Sequence, residues 1–286
     1  MIIHFFKNRA KDRIDFGQLI DEYFDVIENS RIESTDEEVK ITINLPQFSC
    51  EYYYLITKRS RVSSIYKLNS EYVNINLLCE IPEVLPQYVM RVILKQVEEL
   101  CSKFELSIYH SQIDNIKDFK LFEILQLLIK ERTRYLHDNI NEPVYKINEY
   151  ILNQVCLYQQ IVDRLPSLVS NDVIPCNYIT LIDKQTKKVE FAINWKVEQP
   201  IVFPPQLSYI QVEEEENLIA LIPASVFFKY VTRFTYEIKD KTVDLKMMYL
   251  DEKGCKKARK LLKKMKKSMV SISNFDVISL TNLIEE

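Results

Sequence analysis

Glycine is almost absent: among 286 residues only Gly17 and Gly254 occur. Nucleotide sites that cradle phosphate on backbone amides need glycine for the close approach, so neither a Rossmann fingerprint nor a P-loop can be written here. Histidine is nearly as scarce. His4, His110 and His137 are isolated in the sequence, no Cys-x-x-Cys pair exists, and no serine stands in a glycine-flanked elbow. The familiar metal and nucleophile patterns are therefore missing, and no cofactor or metal is expected. Long uncharged runs are missing too. No stretch approaches the roughly 18 apolar residues of a membrane span, and the apolar start, interrupted by His4, is too short for a signal-peptide core. Cys50, Cys79, Cys101, Cys156, Cys176 and Cys255 are dispersed, mostly within apolar segments. That pattern suits free thiols in a reducing compartment, so the expected location is the cytoplasm.

What is present is enough hydrophobic material, 47% of residues, to bury a real core. Its spacing alternates between helix-like and strand-like periods. A first amphipathic helix is expected at 14–29, then strands at 38–45, 50–57, 62–68 and 72–79. A helix at 87–103 and a strand at 105–110 follow. A buried helix begins near 119, and a second long one runs from Pro143 to about Leu165. Strands are expected near 177–183, 188–196, 207–212, 217–222, 233–239 and 242–250, with a short helix at 224–231. A long helix at 252–268, a strand at 269–272 and a short terminal helix complete the chain. The pattern is α+β: two antiparallel-sheet units, each with a packed helix, joined by a central helical pair, with domains at 1–110, 111–167 and 168–286.

Charge supplies the candidate sites. The formal net charge is only −3 with both signs interspersed, so an electrostatic role must be local. Residues 253–267 hold nine basic residues and no acidic one, leaving 29 basic against 41 acidic residues elsewhere. On a helical projection Cys255, Ala258, Leu261, Leu262, Met265 and Met269 fall along one side. Most of the lysines fall along the other, the pattern of a helix lying on a sheet. Lys256, Lys257, Arg259, Lys260, Lys263, Lys264 and Lys267 are thus candidates for tracking a phosphate backbone, an anionic membrane surface or an acidic partner. The alternative is an ordinary solvated face. A second candidate is Lys58-Arg59-Ser60-Arg61, a basic turn after the aromatic strand Tyr52-Tyr53-Tyr54, because aromatics beside basic loops are one way to stack single-stranded bases.

The spacing of Arg132 and His137 in Arg132-Thr-Arg-Tyr-Leu-His137 resembles the short motif of the helical HEPN ribonucleases, which implies an arginine and a histidine lining a shared cleft. Only six residues carry the resemblance, Thr133 departs from the usual polar amide, acid or imidazole, and the strand-rich flanks do not suit that fold. Acid-x-Lys triplets of the kind used by restriction-like nucleases occur at Glu237-Ile-Lys239, Asp244-Leu-Lys246 and three other places, as the charge content dictates. The acidic run 213–216 reads as a solvated loop.

The expected function is a non-enzymatic macromolecule-binding protein of the immunity, accessory or scaffold kind, acting on a protein partner. A nucleic-acid-binding accessory protein using the 253–267 helix is the alternative. A hydrolase or nuclease comes third and requires a pocket where acidic or histidine side chains converge.

Overall fold

The computed structural model describes all residues except 64, 142, 171, 214–218 and 239–243. It mixes helices with mostly antiparallel sheets in an α+β fold. Two compact units make up the chain, Met1–Pro143 and Val144–Glu286. Of the two middle helices, the one that follows residue 119 belongs to the first unit and the next to the second.

The first unit is built on a seven-stranded antiparallel sheet. Its elements are β1 (Ile2–Asn8), α1 (Phe16–Leu19), β2 (Ser30–Ser34), β3 (Glu38–Leu45), β4 (Cys50–Thr57) and β5 (Tyr72–Glu80). They continue with α2 (Gln87–Phe104), β6 (Leu106–Tyr109), β7 (Lys117–Asp118) and α3 (Leu121–Asp138). The strand order is β2-β3-β4-β5-β1-β6-β7, so the opening strand sits between two strands that follow it. Ile3, Phe5, Ile41, Ile43, Tyr52, Tyr54, Leu77 and Cys79 are all buried, as is the α2 stripe Val89, Ile93, Leu94, Val97 and Leu100. Polar ties run between α2 and other elements. Tyr52 and Tyr23 donate their hydroxyls to the Gln96 side chain and carbonyl, and Lys7 Nζ donates to the Phe104 carbonyl at 2.6 Å.

The expected helix at 14–29 is only one short turn, capped by the Asp15 carboxylate, followed by a wider π-helical turn at Ile20–Phe24. Widening lets the adjacent Tyr23 and Phe24 both face inward, where Phe24 packs on Tyr54 with ring centroids 4.8 Å apart. The expected strand at 62–68 is instead a loop with a 3-10 turn at Ile65–Lys67. Val62 and Leu68 from it pack with Phe6 and Ile116.

The second unit comprises β8 (Tyr145–Ile147), α4 (Glu149–Ile161), α5 (Leu165–Leu168), β9 (Ile179–Asp183), β10 (Val189–Trp195), β11 (Ile201–Phe203) and β12 (Tyr209–Glu213). After these come β13 (Ile219–Pro223), α6 (Ala224–Val231), β14 (Tyr236–Ile238), β15 (Met247–Leu250) and α7 (Glu252–Met265). Last are β16 (Val270–Ser271), β17 (Phe275–Ile278) and β18 (Leu283–Glu285). A six-stranded sheet runs β16-β13-β12-β10-β9-β17, beside a three-stranded sheet β11-β15-β14 and the pair β18-β8. Within the larger sheet β10 and β12 pair in parallel.

Two sequence expectations fail here for one reason, pairing with residues far away. Residues 145–147 are not helical, because they pair in parallel with Leu283–Glu285. The helix starts later, with Asn148 accepting from the amides of Tyr150 and Ile151. Nor does the chain end in a helix: β17 pairs with β9, and β18 with β8.

The core of this unit joins Ile193, Trp195, Phe203, Ile210, Phe227 and Leu250 to Cys255, Ala258, Leu262 and Met265 of α7. Those four α7 positions recur at helical spacing, which seats the helix on the core by one face. Gly254 makes the seating close. A Cβ there would lie 2.8 Å from Leu250 Cδ2 and 3.1 Å from the Phe234 carbonyl oxygen, a backbone atom that cannot swing aside. Gly254→Ala is therefore expected to lower stability by about 1–3 kcal/mol in a urea melt. Gly17→Ala meets only the flexible Asp15 carboxylate at an exposed turn and stays within about 0.5 kcal/mol.

Candidate functional site

The basic helix has the shape its sequence implies. Asp251 caps α7, its carboxylate accepting from the Gly254 amide at 2.6 Å, and Glu252 stands in the first turn, both favourable at the positive end of the helix dipole. Every basic residue from Lys253 to Lys267 is exposed, while Cys255, Ala258, Leu262 and Met265 are buried.

The candidates divide by what they touch. Lys256 pairs with Glu252 and Arg259 with Glu198, each at 2.5 Å. Lys257 Nζ lies 5.1 Å from the centroid of the Phe234 ring, which also carries the Arg233 guanidinium at 4.7 Å. Among the described residues, no carboxylate lies within 4 Å of Lys260, Lys263, Lys264 or Lys267. Spaced by three and four residues, these lysines share one face. Each like-charged neighbour pair costs a few tenths of a kcal/mol, a repulsion that an anionic surface would relieve. The apolar side of α7 is already taken up by the core, so this helix has nothing to insert into a lipid interface. No helix among the described residues is long and apolar enough to cross a membrane.

Lys58, Arg59 and Arg61 belong to the first unit and are differently placed. Lys58 lies 3.6 Å from Glu37 and Arg61 2.7 Å from Glu38, while Arg59 is exposed. The neighbouring aromatics offer no stacking platform. Tyr52 and Tyr54 are fully buried, and the Tyr53 ring has Lys40 over it at 4.4 Å.

The first unit also holds a cleft of about 450 Å³ whose lining includes His4, Arg61, His110, Glu131, Arg134 and Asp138. Two of the three histidines, isolated in sequence, meet there. Pairing of β1 with β6 sets His4 opposite Tyr109, next to His110. The His110 ring is buried and doubly held: Nδ1 accepts from the Gln112 amide at 3.2 Å, which leaves Nε2 to donate to Glu131 at 3.1 Å. Burial pushes the Glu131 carboxyl up, but the hydrogen bond from His110, with the positive charges of the Met1 amino group and Arg134, outweighs it and holds the group below its ordinary value.

Burial first, then the neighbouring His110 and Arg61, lower the His4 imidazole to about 4. It is neutral near pH 7. Protonation is thus opposed in the folded chain relative to the unfolded one, so the stability His4 allows is fully present above about pH 6.5 and is lost as pH falls toward 4. Melting temperatures measured across that window should fall more steeply for the natural chain than for His4→Gln.

Arg132 and His137 do not form a site. Five residues apart on α3, they stand about 140° apart around the helix axis. Arg132 is buried and donates to the Leu85 carbonyl at 2.7 Å, whereas His137 is exposed and bonds only its neighbour Asp138 among the described residues. Arg132→Ala is expected to cost about 1–3 kcal/mol by stranding a buried carbonyl. His137→Ala, at the surface, should cost no more than about 0.5 kcal/mol. Calorimetric melts of the two variants check this.

Of the remaining sequence candidates, Lys239 and residues 214–216 of the acidic run lie outside the described residues. Among the described residues, no three His, Cys, Asp or Glu side chains are arranged to hold a metal ion. All six cysteines are free thiols, and Cys176 alone is not fully buried.

Set against protein-family models, curated proteins and solved structures, the chain matches none.

The cleft is what the sequence reading missed. Its signal lay in the first eight residues, where Ile3 and Phe5 alternate with His4, a strand period hidden in a segment too short to read by itself.

Proposed function

We propose that this chain is a macromolecule-binding protein whose second unit engages the phosphate backbone of nucleic acid through the outer face of α7. The observation that carries this reading is the set Lys260, Lys263, Lys264 and Lys267, exposed on one face and without carboxylate partners among the described residues. The segment from Lys256 to Lys267 spans about 16 Å at the helical rise, enough to follow a backbone groove. The helix is rigidly seated by its buried stripe, so little ordering entropy opposes binding. Arg233 and Lys257 on the Phe234 ring extend the cationic surface beside it.

Lysine ammonium groups act as point charges without the fork geometry that reads base edges, so the reading is of sequence-independent binding. Fluorescence anisotropy of the whole chain with labelled single- and double-stranded DNA and RNA, each in two unrelated sequences, tests it. Binding at low salt with similar affinity for both sequences is expected. Poly-glutamate, run beside them at matched charge, is the competitor: if it binds as tightly as the nucleic acids, the face serves an acidic protein partner instead.

A further inference from the structure

We infer that the cleft of the first unit is a binding site for a small ligand of nucleoside-monophosphate type, carrying one phosphate and several hydroxyl or amino donors. Its volume of about 450 Å³ lies within the range of small-molecule sites. Its lining is mixed in charge, which favours a ligand with both an anionic end and a donor end over a simple anion.

The residues divide these roles by their chemistry. Arg61 comes from the loop after β4 and His4 from strand β1, and both line the cleft. A guanidinium and an imidazole lining one cleft suit a phosphate, and each charge-assisted hydrogen bond to one is stronger than a neutral pair. Arg61 already holds one carboxylate, Glu38 at 2.7 Å, but that pair is at the surface, where exchange for a phosphate costs little.

Helix α3 contributes Glu131, Arg134, Tyr135 and Asp138 to the lining. Glu131 is already engaged, accepting from His110 Nε2 at 3.1 Å and Gln112 Nε2 at 3.2 Å, and this fixes the wall in place. Asp138 is exposed and, among the described residues, engaged only by the exposed His137, so its carboxylate is the natural acceptor for ligand hydroxyl or amino groups. Tyr109 and Tyr135 add aromatic surface at the cleft, and the Tyr109 ring lies 6.3 Å from that of His4.

The test is calorimetric titration of the whole chain with adenosine 5′-monophosphate, adenosine and inorganic phosphate, with the His4 and His110 imidazole resonances followed by NMR. The monophosphate should bind and shift the His4 resonance, and adenosine and phosphate should each bind at least about tenfold more weakly. His4→Gln and Arg61→Gln should each weaken the monophosphate about tenfold or more with melting temperature near that of the natural chain. Changing the α7 lysines to glutamate should leave it unaltered, which separates this site from the polyanion face. No binding at millimolar monophosphate overturns the inference. So does phosphate alone binding as well as the nucleotide, or full affinity in both variants.

Discussion

Changing Lys260, Lys263, Lys264 and Lys267 together to glutamate should weaken nucleic-acid binding by at least about 100-fold at low salt, because each lysine that neutralises a phosphate contributes to counterion release. The loss should be similar across sequences, since phosphate contacts carry no sequence information. The fold should survive, because the substituted side chains are exposed and the buried stripe of α7 is untouched. Reversing Lys58, Arg59 and Arg61 should have a far smaller effect, because Glu37 and Glu38 beside that turn offset its positive charge toward a polyanion. Anisotropy titrations of the two variants, checked by circular dichroism, decide the matter. Equal losses in both would mean that α7 has no special part.

The second large effect concerns the seat of that helix. Trp195 is fully buried, its ring centroid 5.5 Å from that of Phe227, and its indole N–H donates to the Gln199 carbonyl at 3.2 Å. Cys255 of α7 donates its thiol to the same carbonyl at 3.0 Å. Trp195→Ala removes the largest side chain of the cluster and leaves a cavity beneath α7, so a cost of about 3–5 kcal/mol is expected in a urea melt. A cost under about 1 kcal/mol would contradict the packing described for this core.

How far the sequence foretells these features depends on where each one gets its order. The α7 helix was legible almost in full, because its buried stripe and its lysines are encoded within one segment at a single period. The same holds for α2 and for most of the strands. Where a residue's conformation is set by a distant partner, the local pattern misleads. Residues 145–147 continue a helix-like run yet pair with the last strand, and 14–29 has a helical period yet widens so that Tyr23 and Phe24 can both reach the core. The cleft was invisible for the same reason. His4, Arg61, His110 and Glu131 come from four separate stretches, and only the placement of β1 between β5 and β6 assembles them. Conversely, Arg132 and His137 share one segment and look like a pair, but the helix turns one inward and the other to solvent.

The salt dependence of binding tests the central claim most directly. With the affinity of the natural chain for a labelled duplex measured between low and physiological salt, four lysines contacting phosphates should give a log–log slope of about −3.6, or about −2.8 on a single strand. In the variant with all four lysines changed to glutamate, that slope should collapse. A slope near zero in the natural chain, or the same slope in both, would contradict the assignment of the α7 face as a nucleic-acid surface.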